Sequence, residues 1–451
     1  MCGPEHHLAS CVLHTSWLLV HGTPSMRRIL IVAMAAVSRA GRVVVVGGGA
    51  SGYLAAITAA RRGAETVLIE ATRKPLKKVL ASGGGRCNVI HDPTMAVEDV
   101  VERYPRGRRE IRGPFTALFG PDDMRRWFEA EGVELKTEAD GRVFPVTDDA
   151  RTVAEALRNA AEEAGVAFRG GAAATTIRVA DAGFTITTDE VFEARAVVLA
   201  TGSAPGGYAL AEALGHAPVR PCPSLFSFRV ASDVLEGLAG LSVPDARIQV
   251  KGAKKARGPP PPTRGPLLVT HRGVSGPAAL RLSAFAAREL QECDYQGTLV
   301  VDLLPDEAVR SALDAHKKQH AGATVAGAQR PFAQIPKRLW ARLVGHAAVR
   351  DGCKWGDAST KELDALATAC SALELPFAGK DTNKEEFVTA GGIKLKELNF
   401  KTYESKLVPG LHFAGELVDV DGVTGGFNFM HCWCSGFAAG THAADIAEGV
   451  S

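Results

Sequence analysis

The chain reads as an α/β protein in which a strand–helix–strand dinucleotide-binding domain is interrupted by a long β-rich and helical insertion. Three observations predict this. A glycine-rich turn joins an apolar run to a helical stretch near residue 47, similar strand-to-helix junctions return near residues 200 and 415, and the texture between about 215 and 385 differs from both flanks. The composition agrees with a packed chain: 451 residues, 46% hydrophobic, 23% charged and 6% aromatic. A net charge of +2 excludes a globally basic nucleic-acid binder, so a charged partner must be met locally.

Taken in order, residues 1–41 form a leader or extension. There is no acidic residue from His6 to Ala64, and Met26-Arg27-Arg28 precedes the apolar stretch Ile29 to Val37. A targeting peptide and an upstream start ahead of Met26 both fit, leaving the cytoplasm or an organelle, plastid or mitochondrion, as the location. No run reaches the roughly 18 apolar residues a membrane-spanning helix needs, so no membrane partner is expected. The nine cysteines are scattered without a CxxC pair, HExxH or other metal-ligand spacing, which fits a reducing compartment and no metal.

Residues 42–214 make the first part of the nucleotide domain. Arg42–Val46 is a β-branched run, Ser51–Arg62 is helical and Thr66–Glu70 is a second strand. Gly47, Gly49 and Gly52 satisfy GxGxxG: the first turns the chain, the second lets a pyrophosphate approach the backbone, and the third lets helix pack on strand. Ala50 and Ser51 open the helix whose N-terminus faces the phosphates. Glu70 at the end of the next strand suits a ribose diol and repels a 2′-phosphate, favouring FAD or NAD over NADP. Ala150–Gly165 reads as a helix, and Phe184–Thr188 and Ala196–Ala200 as strands.

Residues 215–385 form the insertion, with short β-like runs, the cluster Pro259–Pro262, and helical stretches at Asp306–Gln319 and Pro336–Val349. Residues 386–451 return to the nucleotide domain through a strand at Leu411–Gly415 and a helix at Ser435–Ala447. Recurrence of glycine-rich junctions decides between FAD and NAD. Ala200, Thr201 and Gly202 end one strand; Gly415, Glu416, Asp419, Gly425, Gly426 and Asn428 lie between another strand and the closing helix. Such loops suit the ribityl chain and pyrophosphate of a flavin.

These residues, together with Lys77–Asn88 (KKVLASGGGRCN), Glu138–Pro145 (EADGRVFP), Leu268–Pro277 (LVTHRGVSGP), Val388–Ile393 (VTAGGI) and Phe413–Asn428 (FAGELVDVDGVTGGFN), resemble the BaiN/RdsA (YhiN-like) flavoproteins of the two-dinucleotide-binding superfamily. The resemblance spans about residues 42–445. It implies a Rossmann-like FAD-binding domain interrupted by an inserted β-barrel-like domain and a small helical subdomain, and places Ser82, Gly83, Gly84, Arg86, Cys87 and Asn88 beside the flavin. It also implies an FAD-dependent oxidoreductase that reduces an activated C=C bond. Candidate substrates are a uridine in large-subunit rRNA and a small-molecule enone, and the alternatives are an amine oxidase or a non-catalytic flavin-bound rRNA assembly factor. With only one GxGxxG between a strand and a helix, NAD(P)H is expected as a transient electron donor.

Each candidate residue has a plainer reading. Cys87 could protonate a substrate carbon, a role a water could also fill, or could simply pack. Arg86 could hold a phosphate or pair with a carboxylate. His271 could face the substrate or be structural. His431 with Cys432 and Cys434 lacks a further ligand at metal spacing and reads as packing. Two basic groups, Arg103/Arg106/Arg108/Arg109/Arg112 and Lys251/Lys254/Lys255/Arg257/Arg264, could track a phosphate backbone or form solvated faces.

Overall fold

The computed structural model describes residues 41–251, 260–381 and 388–450. Residues 1–40, nearly all of the expected leader or extension, and Lys254, Lys255 and Arg257 of the second basic group lie outside the described residues.

A seven-stranded sheet carries the nucleotide domain, in the order Leu398–Asn399, Glu404–Ser405, Leu411–Phe413, Ala196–Leu199, Arg42–Val46, Glu65–Glu70, Ala167–Gly170. The last five are mutually parallel, and the first two add an antiparallel edge. Val43 to Val46 are all buried because the parallel sheet is covered by the mutually packed helices Ala50–Arg61 and Phe427–Ala447 and by a three-stranded antiparallel sheet, Thr176–Ala180, Gly183–Thr187 and Val191–Ala194, which explains an unbroken β-branched run rather than an alternating one. Fully burying one such valine contributes about 1.5–3 kcal/mol. The edge strand Ala167–Gly170 was not expected from the sequence: it holds a single aromatic and two glycine or arginine positions, and its pairing with Val67–Glu70 gives it its structure.

The helix after the glycine-rich turn runs Ala50–Arg61, with ten of its residues buried. The closing helix spans Phe427–Ala447, starting well before the expected Ser435, because Gly426 turns the chain at φ +90° and the aromatic residues Phe427 and Trp433 and Met430 are drawn into the core. The two helices cross at backbone contact. A Cβ at Gly440 would lie 2.9 Å from the Ala55 Cα and nearer still to its carbonyl oxygen, and one at Gly436 would meet the Ser51 backbone.

The chain leaves the nucleotide domain along Val219–Ser224 and returns along Val388–Gly392, and these two strands pair antiparallel. Between them is a closed six-stranded barrel, ordered Ser227–Val230, Gly273–Ser275, Thr263–Thr270, Ser242–Val250, Gln296–Asp302, Leu373–Asp381. Leu373, Leu375 and Phe377 point inward and their neighbours outward, the period-two pattern of a strand with one wet face. Helices Val309–Gln319, Lys337–His346 and Thr360–Ser371 form the helical part around the stacked Trp340 and Trp355. Ser359 and Glu362 cap the last of these helices reciprocally. Among the described residues, no helix is long and apolar enough to cross a membrane.

The crossing of the two glycine-contacted helices gives a test of this packing. Gly440→Val should destabilise the protein by at least about 1–3 kcal/mol, since backbone cannot yield as a side-chain tip can. Thermal unfolding measures this, and an unchanged Tm would show that the helices are not in backbone contact.

Candidate functional site

A cavity of 560 Å³ runs along the C-terminal ends of the central strands, within the size range of small-molecule sites. Its floor is Gly47, Gly48, Gly49, Ala50 and Ser51, and its walls include Glu70, Ala200, Thr201, Gly202 and Glu416. Three glycines do different things here. Gly47 has φ +116°, with the Ala200 carbonyl against it; a Cβ at Gly52 would collide with the Gly47 carbonyl oxygen; a Cβ at Gly49 would meet nothing within 4 Å. The first two are structural requirements of the turn, while Gly49 faces open space.

Glu70 is fixed at the wall of this cavity. Its Oε2 accepts from the Gly48 N–H at 2.7 Å, and its Oε1 accepts from the Thr72 N–H at 2.9 Å and the Thr72 hydroxyl at 2.8 Å. A carboxylate has about four lone-pair positions, so acceptor capacity remains for a ribose hydroxyl.

A second cavity of 310 Å³ adjoins the first, and Lys78, Glu416, Phe429 and Cys432 line both. Ser82, Gly83 and Asn88 form one side, Arg142 and Phe144 another, and Gly425, Gly426, Asn428 and His431 the side where the closing helix begins. The helix Lys77–Gly85 unwinds at Ser82 (ψ 149°), and Gly83 and Gly84 follow with φ of 59° and 69°, a conformation that favours glycine. The Asn88 amide locks this turn to the closing helix, accepting from the Gly426 N–H and donating to the Ile90 carbonyl, both at 2.9 Å. Asn428 clamps the neighbouring loop through both the N–H and the carbonyl of Gly422. Lys78 forms an ion pair with Glu416 at the junction of the cavities and donates to the Ser203 hydroxyl at 3.1 Å. Glu416 in turn accepts from the Thr389 N–H at 2.8 Å.

Several expected site residues take other places. Cys87 is fully buried, lines neither cavity, and burial pushes its thiol up to about 12, so it packs and holds its proton. His271 sits on an exposed turn between two barrel strands, away from both cavities. Arg86 pairs with Glu138 at 2.5 Å and Asp148 at 2.6 Å and lies over the Phe144 ring, which gives it the carboxylate-pairing role and makes it a support for that aromatic wall. Asp419 accepts from Arg288 at 2.6 Å and from the Gly391 N–H at 3.1 Å, so it braces the loop beneath the cavities. Gly415 donates its N–H to the Ser435 hydroxyl, and neither it nor Gly52 nor Gly84 lines a cavity.

Among the described residues, five members of the basic groups are matched by acids. Arg106 is an ion-paired partner of the buried Asp421, Arg108 pairs with Glu102, Arg112 with Glu98, Lys251 with Glu374, and Arg264 with Asp245 and Asp306. Sequence reasoning also missed wall residues: Lys78, Arg142, Phe144 and Phe429 were given no role, while His431 and Cys432 were read as packing. For Phe429, His431 and Cys432 the signal was position, in the first turns of the helix that begins at Phe427.

The cleft fits a flavin dinucleotide. Backbone stands open over Gly49 at the start of a helix, a carboxylate with spare acceptor capacity ends the second strand, and the Thr201 hydroxyl and His431 Nε2, on wall residues, are buried without a protein partner. Comparison with known proteins agrees. Residues 41–442 match the family described as HI0933-like protein Rossmann domain, and the chain belongs to that family. It is 30% identical over 419 residues to the 3-dehydro-bile acid delta(4,6)-reductase of Clostridium scindens, covering 90% of this chain and 99% of that one. It is 28% identical to the ribosomal RNA dihydrouridine synthase of Escherichia coli and 26% identical to that of Haemophilus influenzae, each covering 88% of this chain and 96% of the relative. The protein is an FAD-dependent oxidoreductase.

Gly49 separates cofactor binding from folding. Its backbone, at φ −90° and ψ −171°, suits any residue, and its Cβ would enter only the cleft. Gly49→Val should therefore purify folded, with a Tm close to that of the parent stripped of flavin, yet retain no FAD. Flavin absorbance of the purified variant checks this, and full retention would show that the cofactor does not lie over this turn.

Proposed function

We propose that this member of the HI0933-like family reduces a carbon–carbon double bond conjugated to a carbonyl, and that its substrate is a uridine of large-subunit ribosomal RNA, which becomes dihydrouridine. The observation that carries the reading is the second cavity, which adjoins the dinucleotide cleft, shares four wall residues with it, and sets the Phe144 and Phe429 rings among polar side chains that include Asn88, Arg142, Asn428 and His431. A planar, unsaturated ring suits such a space. The C5=C6 bond of uridine is conjugated to its C4 carbonyl, the same alkene–carbonyl arrangement as in an enone, and the relatives named above support both kinds of acceptor.

A flavin held in the cleft and reduced by the electron donor would supply hydride chemistry. The chain's own residues would hold the cofactor through the Gly47–Ser51 turn, Glu70 and the Gly425–Asn428 segment, and would exclude water with Phe144 and Phe429. Phe144 is itself held in place under the ion-paired Arg86. Arg142 lines the second cavity and is ion-paired with Asp140 and Glu138, which fixes its guanidinium beside the Phe144 ring. Cys432 lines both cavities, and burial pushes its thiol up to about 12, so it holds its proton at neutral pH. We assign the proton for the second carbon to this thiol or to a water reaching the same cavity. NAD(P)H is the proposed electron donor, binding transiently at the second cavity.

The ion pairing of the described basic side chains favours a second reading, a small-molecule enone reductase that needs no phosphate track. Incubating the holoprotein with NADPH and unmodified ribosomal RNA, followed by mass analysis of the nucleosides, separates them. Uridine gaining two hydrogen atoms is the expected result. No change in RNA, with turnover of a conjugated steroid enone, would replace the first reading by the second.

A further inference from the structure

We propose that Glu404, His412 and His442 form a binding site for a divalent transition-metal ion of the zinc class, outside both cavities and independent of the flavin. Among the described residues this is the one group in which three such donors converge, one ligand atom from each lying within 4.8 Å of the others.

The fold makes this group. Glu404 and His412 are directly opposed partners of an antiparallel pair, so their side chains leave the same face of the sheet edge. The closing helix Phe427–Ala447 covers that face and contributes His442. His412 Nε2 lies 2.9 Å from His442 Nδ1, and Glu404 Oε2 lies 3.9 Å from the same nitrogen. The other oxygen of Glu404 accepts from the Gly410 N–H at 2.8 Å, the kind of outer hydrogen bond that orients a ligating carboxylate.

Accessibility suits a cation. His412 is fully buried, while the side chains of Glu404 and His442 are 21% and 23% exposed, so the group opens to solvent on one side. Two imidazoles and one carboxylate with an open fourth position are a recurrent zinc ligand set, and ligand distances near 2.0–2.1 Å would require only a small widening of the facing nitrogens, which the half-exposed His442 can provide. The three residues lie on separate elements, so no ligand spacing appears in the sequence. An ion here would tie the helix that begins at the flavin cavity to the edge of the sheet.

The test uses the full-length holoprotein without a histidine tag. After chelator treatment and dialysis it is reloaded with zinc chloride, bound zinc is measured by plasma mass spectrometry, and thermal unfolding is followed with and without the metal. The expected result is one zinc per chain and a Tm that rises with zinc, with both effects lost in His442→Ala and Glu404→Gln while flavin absorbance is unchanged. Should His442→Ala fail to fold, the isosteric Glu404→Gln carries the test alone. Absence of zinc in the parent, or equal uptake and an equal Tm rise in parent and variants, would overturn the proposal and leave a hydrogen-bonded imidazole pair.

Discussion

The site depends on one packing constraint, the backbone-to-backbone crossing of helices Ala50–Arg61 and Phe427–Ala447. Gly436 and Gly440 allow the closing helix to rest on the Ser51 and Ala55 peptides, a contact that any side chain at either position would block. Residues at opposite ends of the chain are thereby brought within one cleft: the phosphate-type turn at Gly47–Ser51 from the start, and Gly425–His431 from the end. Gly415 follows the same rule, since its missing side chain leaves room for Ser51, and its N–H is taken by Ser435 of the closing helix. The large insertion can be accommodated because it leaves and re-enters through a single paired ribbon, Val219–Ser224 with Val388–Gly392.

A second layer of control is electrostatic. The loop ahead of the closing helix is acidic, and its buried carboxylates are neutralised in place: Asp421 by Arg106 and the Ser224 hydroxyl, Asp419 by Arg288. Arg106 comes from the nucleotide domain, whereas Arg288 and Ser224 come from the inserted segment, so these pairs join the two parts directly beneath the cavities. Removing one member of such a pair strands the other charge, at a cost of about 3–5 kcal/mol. That explains why acids which look like ribose or ribityl ligands in the sequence serve as braces, and why Arg106 is unavailable to a phosphate backbone.

What could be read from the sequence follows the range of the interactions. The Gly47–Gly52 turn and Glu70 were legible because strand, turn and helix are contiguous and each glycine has a local steric reason. The barrel and helical parts were legible as a change of texture, with the resemblance supplying their form. Cys87 and Arg86 lay in the most distinctive motif, yet a left-handed turn carries the cysteine inward and two acids from Glu138–Asp148 capture the arginine, neither of which spacing can reveal. The wall residues Phe144 and His431 and the Glu404–His412 pairing arise from strand register and helix crossing. The helix start at Phe427 was masked by the glycines before it, which read as loop until Gly426 is seen as its cap.

The central claim is that this crossing builds a cleft for one flavin dinucleotide per chain. Acid release and chromatographic identification of the flavin from the purified protein, set against protein concentration, test it most directly. Close to one equivalent of non-covalent FAD, released completely by acid, is the expected result. A colourless protein that acquires no flavin absorbance when FAD is added, or one that carries FMN instead, would contradict it.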